Sequence, residues 1–227
     1  MRDTMERPAT GGPAGLEGVI AAETGLSGID GETGELWIAG EPVGTFARRT
    51  FVDAAMRLLR GTASGLERTE AASESFATAL GAARAAAHRR LPQLGDALDA
   101  NDAMGALQAG LAHLPRSAEA AATGIAVLGT LPDLLAAWAR RRRGLEPIAP
   151  RPGVGHAADL LTLLEGEPPT APRAEALGTY LATVMDHGLN ASTFTARVVA
   201  STGSDPVAVP ATGKGASRHS ARNTGRQ

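Results

Sequence analysis

Alanine makes up 46 of the 227 residues, while the aromatic side chains are only Phe46, Phe51, Phe76, Phe194, Trp37, Trp138 and Tyr180. Strand cores are built from β-branched and aromatic residues, whereas Ala has the highest intrinsic helix propensity. A chain so biased can fill a core only with closely packed helices. No Cys is present, which excludes disulfide scaffolds, thiol nucleophiles and zinc–thiolate sites. No uninterrupted apolar run approaches the ~18 residues of a membrane span, so an integral membrane protein is not expected.

Glycine and proline divide the chain. Residues 1–15 are polar, rich in Gly and Pro, and expected to be disordered. Between Leu16 and Ile38, the apolar pieces Val19-Ile20, Leu26, Ile29 and Leu36-Trp37-Ile38 alternate with Gly25, Gly28, Gly31 and Gly34. That spacing predicts a hairpin of two short strands as the only sheet. Helical periodicity follows. Thr50 caps a stripe of Phe51, Ala55 and Leu58-Leu59, with Asp53 three residues after the cap and Gly61 closing it. Residues 68–90 and 99–112 form Ala-rich candidates. In the stretch from Thr130 to Gly144, Thr130 reads as a cap, Pro132 as a first-turn residue and Asp133 as a capping-box acid. Leu131, Leu134, Leu135 and Trp138 recur at helical spacing, and Arg140 to Arg143 suit a solvated C-terminal end. Three further helices are predicted: residues 155–165, a segment carrying Leu177, Tyr180, Leu181 and Val184, and residues 191–202. The expected fold is mainly α, a multi-helix bundle with a short N-terminal β-hairpin.

Charge sets the C-terminus apart. Residues 206–227 hold Lys214, Arg218, Arg222 and Arg226 and no acid. With a formal net charge of −2 on the whole chain, residues 1–205 carry −6. Such an acidic body with few aromatics argues against nucleic-acid binding. Residues 207–227 have almost nothing to bury and are expected to form a disordered basic tail.

Without Cys, chemistry falls to His, Asp, Glu, Ser and Arg. His88, beside Arg89-Arg90 at a helix end, and His113, before Leu114-Pro115, read as solvated helix-end cations. His219 lies in the tail. His156 and His187 differ in setting. His156 opens a helix directly after Arg151-Pro152-Gly153-Val154-Gly155, and His187 occupies a junction between two helices. From pattern alone both can be structural helix-end histidines or positioned proton donors. They share no metal-ligand spacing, and no glycine segment ends in Gly-Lys-Ser/Thr, so neither a metal nor a phosphate loop is indicated.

The stretch Asp186-His187-Gly188-Leu189-Asn190-Ala191-Ser192-Thr193-Phe194, followed by Ala196-Arg197-Val198-Val199-Ala200-Ser201-Thr202, resembles the signature of the citrate synthase family. Leu16 to Thr24 with Ser27 to Glu32 resembles the family's N-terminal hairpin. Ala149-Pro150-Arg151-Pro152 through His156-Ala157-Ala158 resembles the stretch before its second substrate histidine. The similarity covers roughly residues 16–206. It implies condensation of acetyl-CoA with oxaloacetate to citrate and CoA, in the tricarboxylic acid cycle, on a two-domain, nearly all-helical homodimer. The N-terminus, which lacks a basic stretch followed by an apolar block, and the lack of a membrane-length apolar run make a cytoplasmic chain the expectation. Acetyl-CoA is a substrate, and no cofactor is implied. His187 matches the histidine that donates a hydrogen bond to the thioester carbonyl, and His156 matches one that helps bind oxaloacetate. A thioester α-proton is too weakly acidic for a carboxylate alone, so a donor must stabilise the charge developing on oxygen.

Asp159 stands where the family often has Asn, and Ile38-Ala39-Gly40-Glu41-Pro42 where an aromatic-Arg-Gly-Tyr pattern is common. After Pro206, the sequence runs into the basic tail instead of the family's Gly-Pro-Leu-His-Gly segment, whose histidine protonates oxaloacetate, and the catalytic aspartate beyond it. The expectation is therefore the front part of a citrate synthase, truncated or frameshifted near residue 207 and weakly active or inactive alone. Two other readings are a non-catalytic binding or dimerisation module and a 2-methylcitrate synthase-like enzyme using another acyl-CoA.

Overall fold

A computed structural model describes residues 23–59, 70–115, 117, 119–186, 188 and 191–203. The expectations for residues 1–15, for Val19-Ile20, for Gly61 and for the tail from 207 lie outside these residues.

The described residues open with a small antiparallel sheet, β1 (Ser27–Asp30), β2 (Glu35–Ile38) and β3 (Glu41–Pro42), in the order β1-β2-β3. The first turn forms because Asp30 Oδ1 accepts the backbone N–H groups of Glu32 at 2.8 Å and Thr33 at 3.2 Å, while Gly34 takes the positive φ. These bonds hold the exposed Asp30 carboxyl below its ordinary pKa. The expected hairpin is present, but it gains a third strand. Ala39 and Gly40 both have positive φ, +51° and +79°, and make the two-residue turn that pairs Ile38 with Glu41. A Gly-less first turn position hid this second hairpin from the sequence pattern.

Eight helices follow among the described residues: α1 (Val43–Phe46), α2 (Phe51–Leu59), α3 (Glu70–Arg90), α4 (Ala103–Ala112), α5 (Ala120–Arg141), α6 (His156–Glu165), α7 (Ala171–Thr183) and α8 (Ala191–Ser201). Thr50 Oγ1 accepts the Asp53 N–H at 3.1 Å, the cap expected for α2. Asp102 caps α4 through the Gly105 N–H at 2.9 Å, so that helix starts later than the expected residue 99. Its lead-in is a 3₁₀ turn over Ala97–Asp99.

The largest departure is α5. It begins at Ala120, ten residues before the expected cap, and Thr130 and Asp133 are buried in its body. Small residues on the added turns explain this. At Gly129 a Cβ would lie 2.4 Å from the Ala83 Cβ, so only glycine lets α3 cross α5 this closely. That packing outweighs the backbone bond lost at Pro132. The C-terminus behaves as expected: Gly144 adopts φ +69° and the Leu145 N–H returns to the Arg140 carbonyl at 2.9 Å. Arg140 and Arg143 donate to the carbonyls of Glu146 (2.6 Å) and Leu164 (3.3 Å), and Arg142 lies over the Trp138 ring. By length and composition alone, Ala121–Arg141 could cross a bilayer. In this fold it is the central helix, packed against α3, α4 and α6.

Among the described residues, three groups of buried side chains hold the bundle. Leu91, Leu98, Leu111 and Leu134 join the end of α3 to α4 and α5, with the Trp138 Nε1–H donating to the Ala100 carbonyl at 2.9 Å. Ile38, Phe46, Ala54 and Ala182 bind the sheet to α1, α2 and α7. Met56, Phe76 and Leu80 join α2 to α3. Helix α2 therefore belongs to two groups at once, and its first turn faces the head of α6.

Candidate functional site

A cleft of about 370 Å³ opens between the N-terminal ends of α2 and α6 and the side of α7, lined by Arg48, Thr50, Phe51, Gly155, His156 and Gly178 among others. A second cleft of about 370 Å³ lies on the α3 side, lined by Glu74, Thr78, Arg84, Gly153, Val154 and His156. His156 belongs to both. The ring is 7% exposed and stacks on Phe51, with centroids 4.1 Å apart and planes 8° from parallel.

The head of α6 is poor in local partners. Gly155 occupies the cap position and offers no side-chain oxygen, so the first N–H groups of α6 keep their capacity to bind a ligand. The positive end of the helix dipole favours an anion there. Arg48, exposed at the mouth, makes no ion pair with a described residue, whereas Arg49 is committed to Glu41, at 2.7 Å, and to Asp53. Glu175 on α7 lines the same cleft and opposes an anion from that wall.

Behind His156 stands a buried polar assembly that sequence reading missed. Arg84, 2% exposed on α3, donates from Nε to Asp159 Oδ2 at 2.8 Å and from Nη2 to the Val154 carbonyl at 2.8 Å. Its Nη1 lies 3.3 Å from His156 Nδ1. Asp159 Oδ1 accepts the Arg151 N–H at 3.1 Å, and Arg151 Nη2 donates to Thr162 Oγ1 at 2.9 Å. Burial, and secondarily the Arg84 charge, push His156 down to about 4, so the ring is neutral at physiological pH. Chain positions 84 and 159 are 75 apart, and no local pattern announces such a pair. The only sequence signal was Asp159 itself, an acid among the apolar residues of α6.

Backbone approach makes the assembly possible. A Cβ on Gly81 would lie 2.2 Å from the Pro152 carbonyl oxygen, so α3 touches the 151–155 loop directly and carries Arg84 one turn further on into it.

His88 requires a correction. It is not a solvated cation: its Nδ1 lies 3.1 Å from Oδ1 of Asp133 on α5, and the side chain is about a quarter exposed. Asp133 is 1% exposed, and its Oδ2 has no partner among the described residues. Burial raises its carboxyl to about 6, opposed by His88. His113 follows α4 and is exposed, as expected.

His187 lies outside the described residues. Its neighbours are placed. Asp186 Oδ1 accepts from the Ser27 hydroxyl and from the Gly188 N–H at 2.9 Å, tying the end of α7 to β1 across 159 positions. Gly188 has φ +89°. No group of three or more His, Asp or Glu suited to a metal occurs among the described residues.

A family model described as citrate synthase, C-terminal domain, matches residues 15–223, a span that runs into the basic tail. A 2-methylcitrate synthase of Mycobacterium tuberculosis is 34% identical over 199 residues, covering 84% of this chain and 50% of the relative. A citrate synthase of Haloferax volcanii is 35% identical over 205 residues, 84% of this chain and 53% of the relative. Among solved structures, the citrate synthase of Thermotoga maritima superposes with a TM-score of 0.77 at 28% identity, covering 89% of this chain and 55% of that one. The chain thus spans about half the length of the curated relatives it matches.

Proposed function

This chain belongs to the citrate synthase family, and we propose that its cleft at the head of α6 binds oxaloacetate for condensation with acetyl-CoA to citrate and CoA. The observation that carries this reading is His156: a buried, neutral imidazole set beside the uncapped first turn of a helix in a cleft of about 370 Å³. A small dicarboxylate has the charge for that helix end and for Arg48, and it has oxygen acceptors for an imidazole N–H.

In the proposed reaction His156 orients oxaloacetate, and His187 donates a hydrogen bond to the thioester carbonyl as a base removes a methyl proton. The resulting enol attacks the 2-oxo carbon. A carbon–carbon bond forms, the oxo oxygen takes a proton, and water then cleaves the thioester to release CoA. The family histidine that protonates oxaloacetate sits in a Leu-His-Gly context, and no such tripeptide occurs in the 227 residues. These residues alone are therefore proposed to bind oxaloacetate and to turn over slowly or not at all, since loss of one member of a catalytic set costs orders of magnitude. A cytoplasmic homodimer completes the proposal, with exposed Tyr180, Phe194 and Val198 supplying apolar surface for association.

The similarity to a 2-methylcitrate synthase favours a second reading, the same oxaloacetate site serving another acyl-CoA. Calorimetric titration with oxaloacetate, beside a colour assay for free thiol with each acyl-CoA, tests both. Oxaloacetate is expected to bind and His156→Gln to abolish binding. Absence of binding to the unaltered chain overturns the reading of the cleft, and brisk CoA release overturns the statement about turnover.

A further inference from the structure

We propose that Arg84 is a positioning residue: pinned by Asp159 and the Val154 carbonyl, it occupies His156 Nδ1 and thereby fixes the imidazole proton on Nε2, leaving an N–H donor for a ligand oxygen.

A guanidinium carries donors only, so the 3.3 Å contact between Arg84 Nη1 and His156 Nδ1 is a hydrogen bond only if Nδ1 is the acceptor. The alternative tautomer would point an N–H at a buried cation. Arg84 cannot swing away. Nε is held at 2.8 Å by Asp159, Nη2 at 2.8 Å by the Val154 carbonyl, and a further contact to the Pro152 carbonyl measures 3.4 Å. The Phe51 stack restrains the ring in turn. Among the described residues, Nε2 of His156 has no hydrogen-bond partner, although the ring lines both clefts. A neutral donor of fixed tautomer, with its second nitrogen saturated, suits an acceptor such as a carboxylate or ketone oxygen.

The charged groups around the ring come from every wall. Arg84 and Glu74 lie on α3, Asp159 on α6, Glu175 on α7, and Arg48, Arg49 and Arg151 on the intervening loops. Asp133 on α5 sits behind Asp159. Among the described residues, Arg84 alone contacts a ring nitrogen. The depressed ionisation of His156 agrees with this placement.

The inference rests on the oxaloacetate reading only for the identity of the ligand, and the test separates the two. Long-range nitrogen–proton spectra of the full chain with ¹⁵N-labelled histidine, assigned by His156→Gln, report the tautomer from pH 8 to pH 5. The expected result is Nε2–H throughout; an Nδ1–H ring in the unaltered chain overturns the inference even if oxaloacetate binds. Conversely, an Nε2–H ring indifferent to oxaloacetate upholds the inference and sinks the ligand reading.

The double variant Arg84→Met with Asp159→Asn removes the buried pair without stranding either charge. Loss of the Arg84 charge moves the His156 midpoint upward in either case, so the tautomer is the readout. If Arg84 serves only to neutralise Asp159, the tautomer stays Nε2–H and the inference fails; if it positions the ring, the Nδ1–H form appears. An even mixture of tautomers lowers apparent affinity for an acceptor ligand about two-fold, because only the competent fraction binds. Should the double variant not fold, the tautomer of the unaltered chain decides alone.

Discussion

Replacing Gly81 with alanine should damage the molecule in proportion to one distance. The added Cβ would lie 2.2 Å from the Pro152 carbonyl oxygen, more than an ångström short of the 3.4 Å at which ordinary contact begins, and 2.9 Å from its carbonyl carbon and Cα, about half an ångström short. Every atom on the receiving side is backbone, so no rotamer change relieves the overlap. Overpacking of this kind costs about 1–3 kcal/mol. Displacing the loop also loosens the bonds from Arg84 to the Val154 and Pro152 carbonyls, and hydrogen bonds to a charged group are each worth about 1.5–3 kcal/mol. Against this, alanine gains about 1 kcal/mol of helix propensity. The balance is a loss of about 2–4 kcal/mol. With a urea slope of about 2 kcal/mol per M, the unfolding midpoint falls by about 1–2 M at unchanged slope. Gly178→Ala is the control. Its Cβ would meet only the Ala157 Cβ, at 3.9 Å, so propensity should dominate and raise stability by up to about 1 kcal/mol. A Gly81→Ala midpoint equal to or above that of the unaltered chain would refute the close approach of α3 to the loop, and with it the seating of Arg84.

Acid should expose two opposed buried groups. His156 titrates at about 4 in the folded chain against 6.5 unfolded, so its contribution is lost as pH falls through that window, about 3 kcal/mol in all. Asp133 titrates at about 6 against 3.8, so its buried charge destabilises above pH 6 and the penalty of similar size is relieved as pH falls toward 4. Urea unfolding between pH 4 and 6.5 should therefore show little slope from this pair, a fall toward acid in Asp133→Asn, and a rise in His156→Gln; equal slopes in all three contradict the assignment. Ala39→Gly relieves a non-glycine residue at φ +51° and should raise stability by up to about 1 kcal/mol, read as a higher melting temperature. Ser27→Ala removes the hydroxyl that ties β1 to Asp186 and should cost about 1–2 kcal/mol, with faster hydrogen exchange at the Gly188 amide as its local signature.

What the sequence made legible follows from locality. The Thr50 cap of α2 and the start of α6 at His156 are set within one turn of chain, and each lies where the sequence placed it. Helix α5 escaped because its first ten residues earn their place by packing: Gly124 and Gly129 are weak helix formers, yet they admit Leu59 and Ala83 at close range. The site divides the same way. His156 stood out by its position after a glycine-rich approach. Arg84, Phe51 and the pairing of His88 with Asp133 depend on contacts between distant segments. His88 looked like an ordinary helix-end cation because nothing near it in the chain marks Asp133 as buried.

The most direct measurement is a crystal structure of the chain grown with oxaloacetate. The expectation is the dicarboxylate in the cleft at the head of α6, one oxygen within hydrogen-bond reach of His156 Nε2 and a carboxylate against the first N–H groups of that helix. Oxaloacetate bound elsewhere, with that cleft unoccupied, contradicts it.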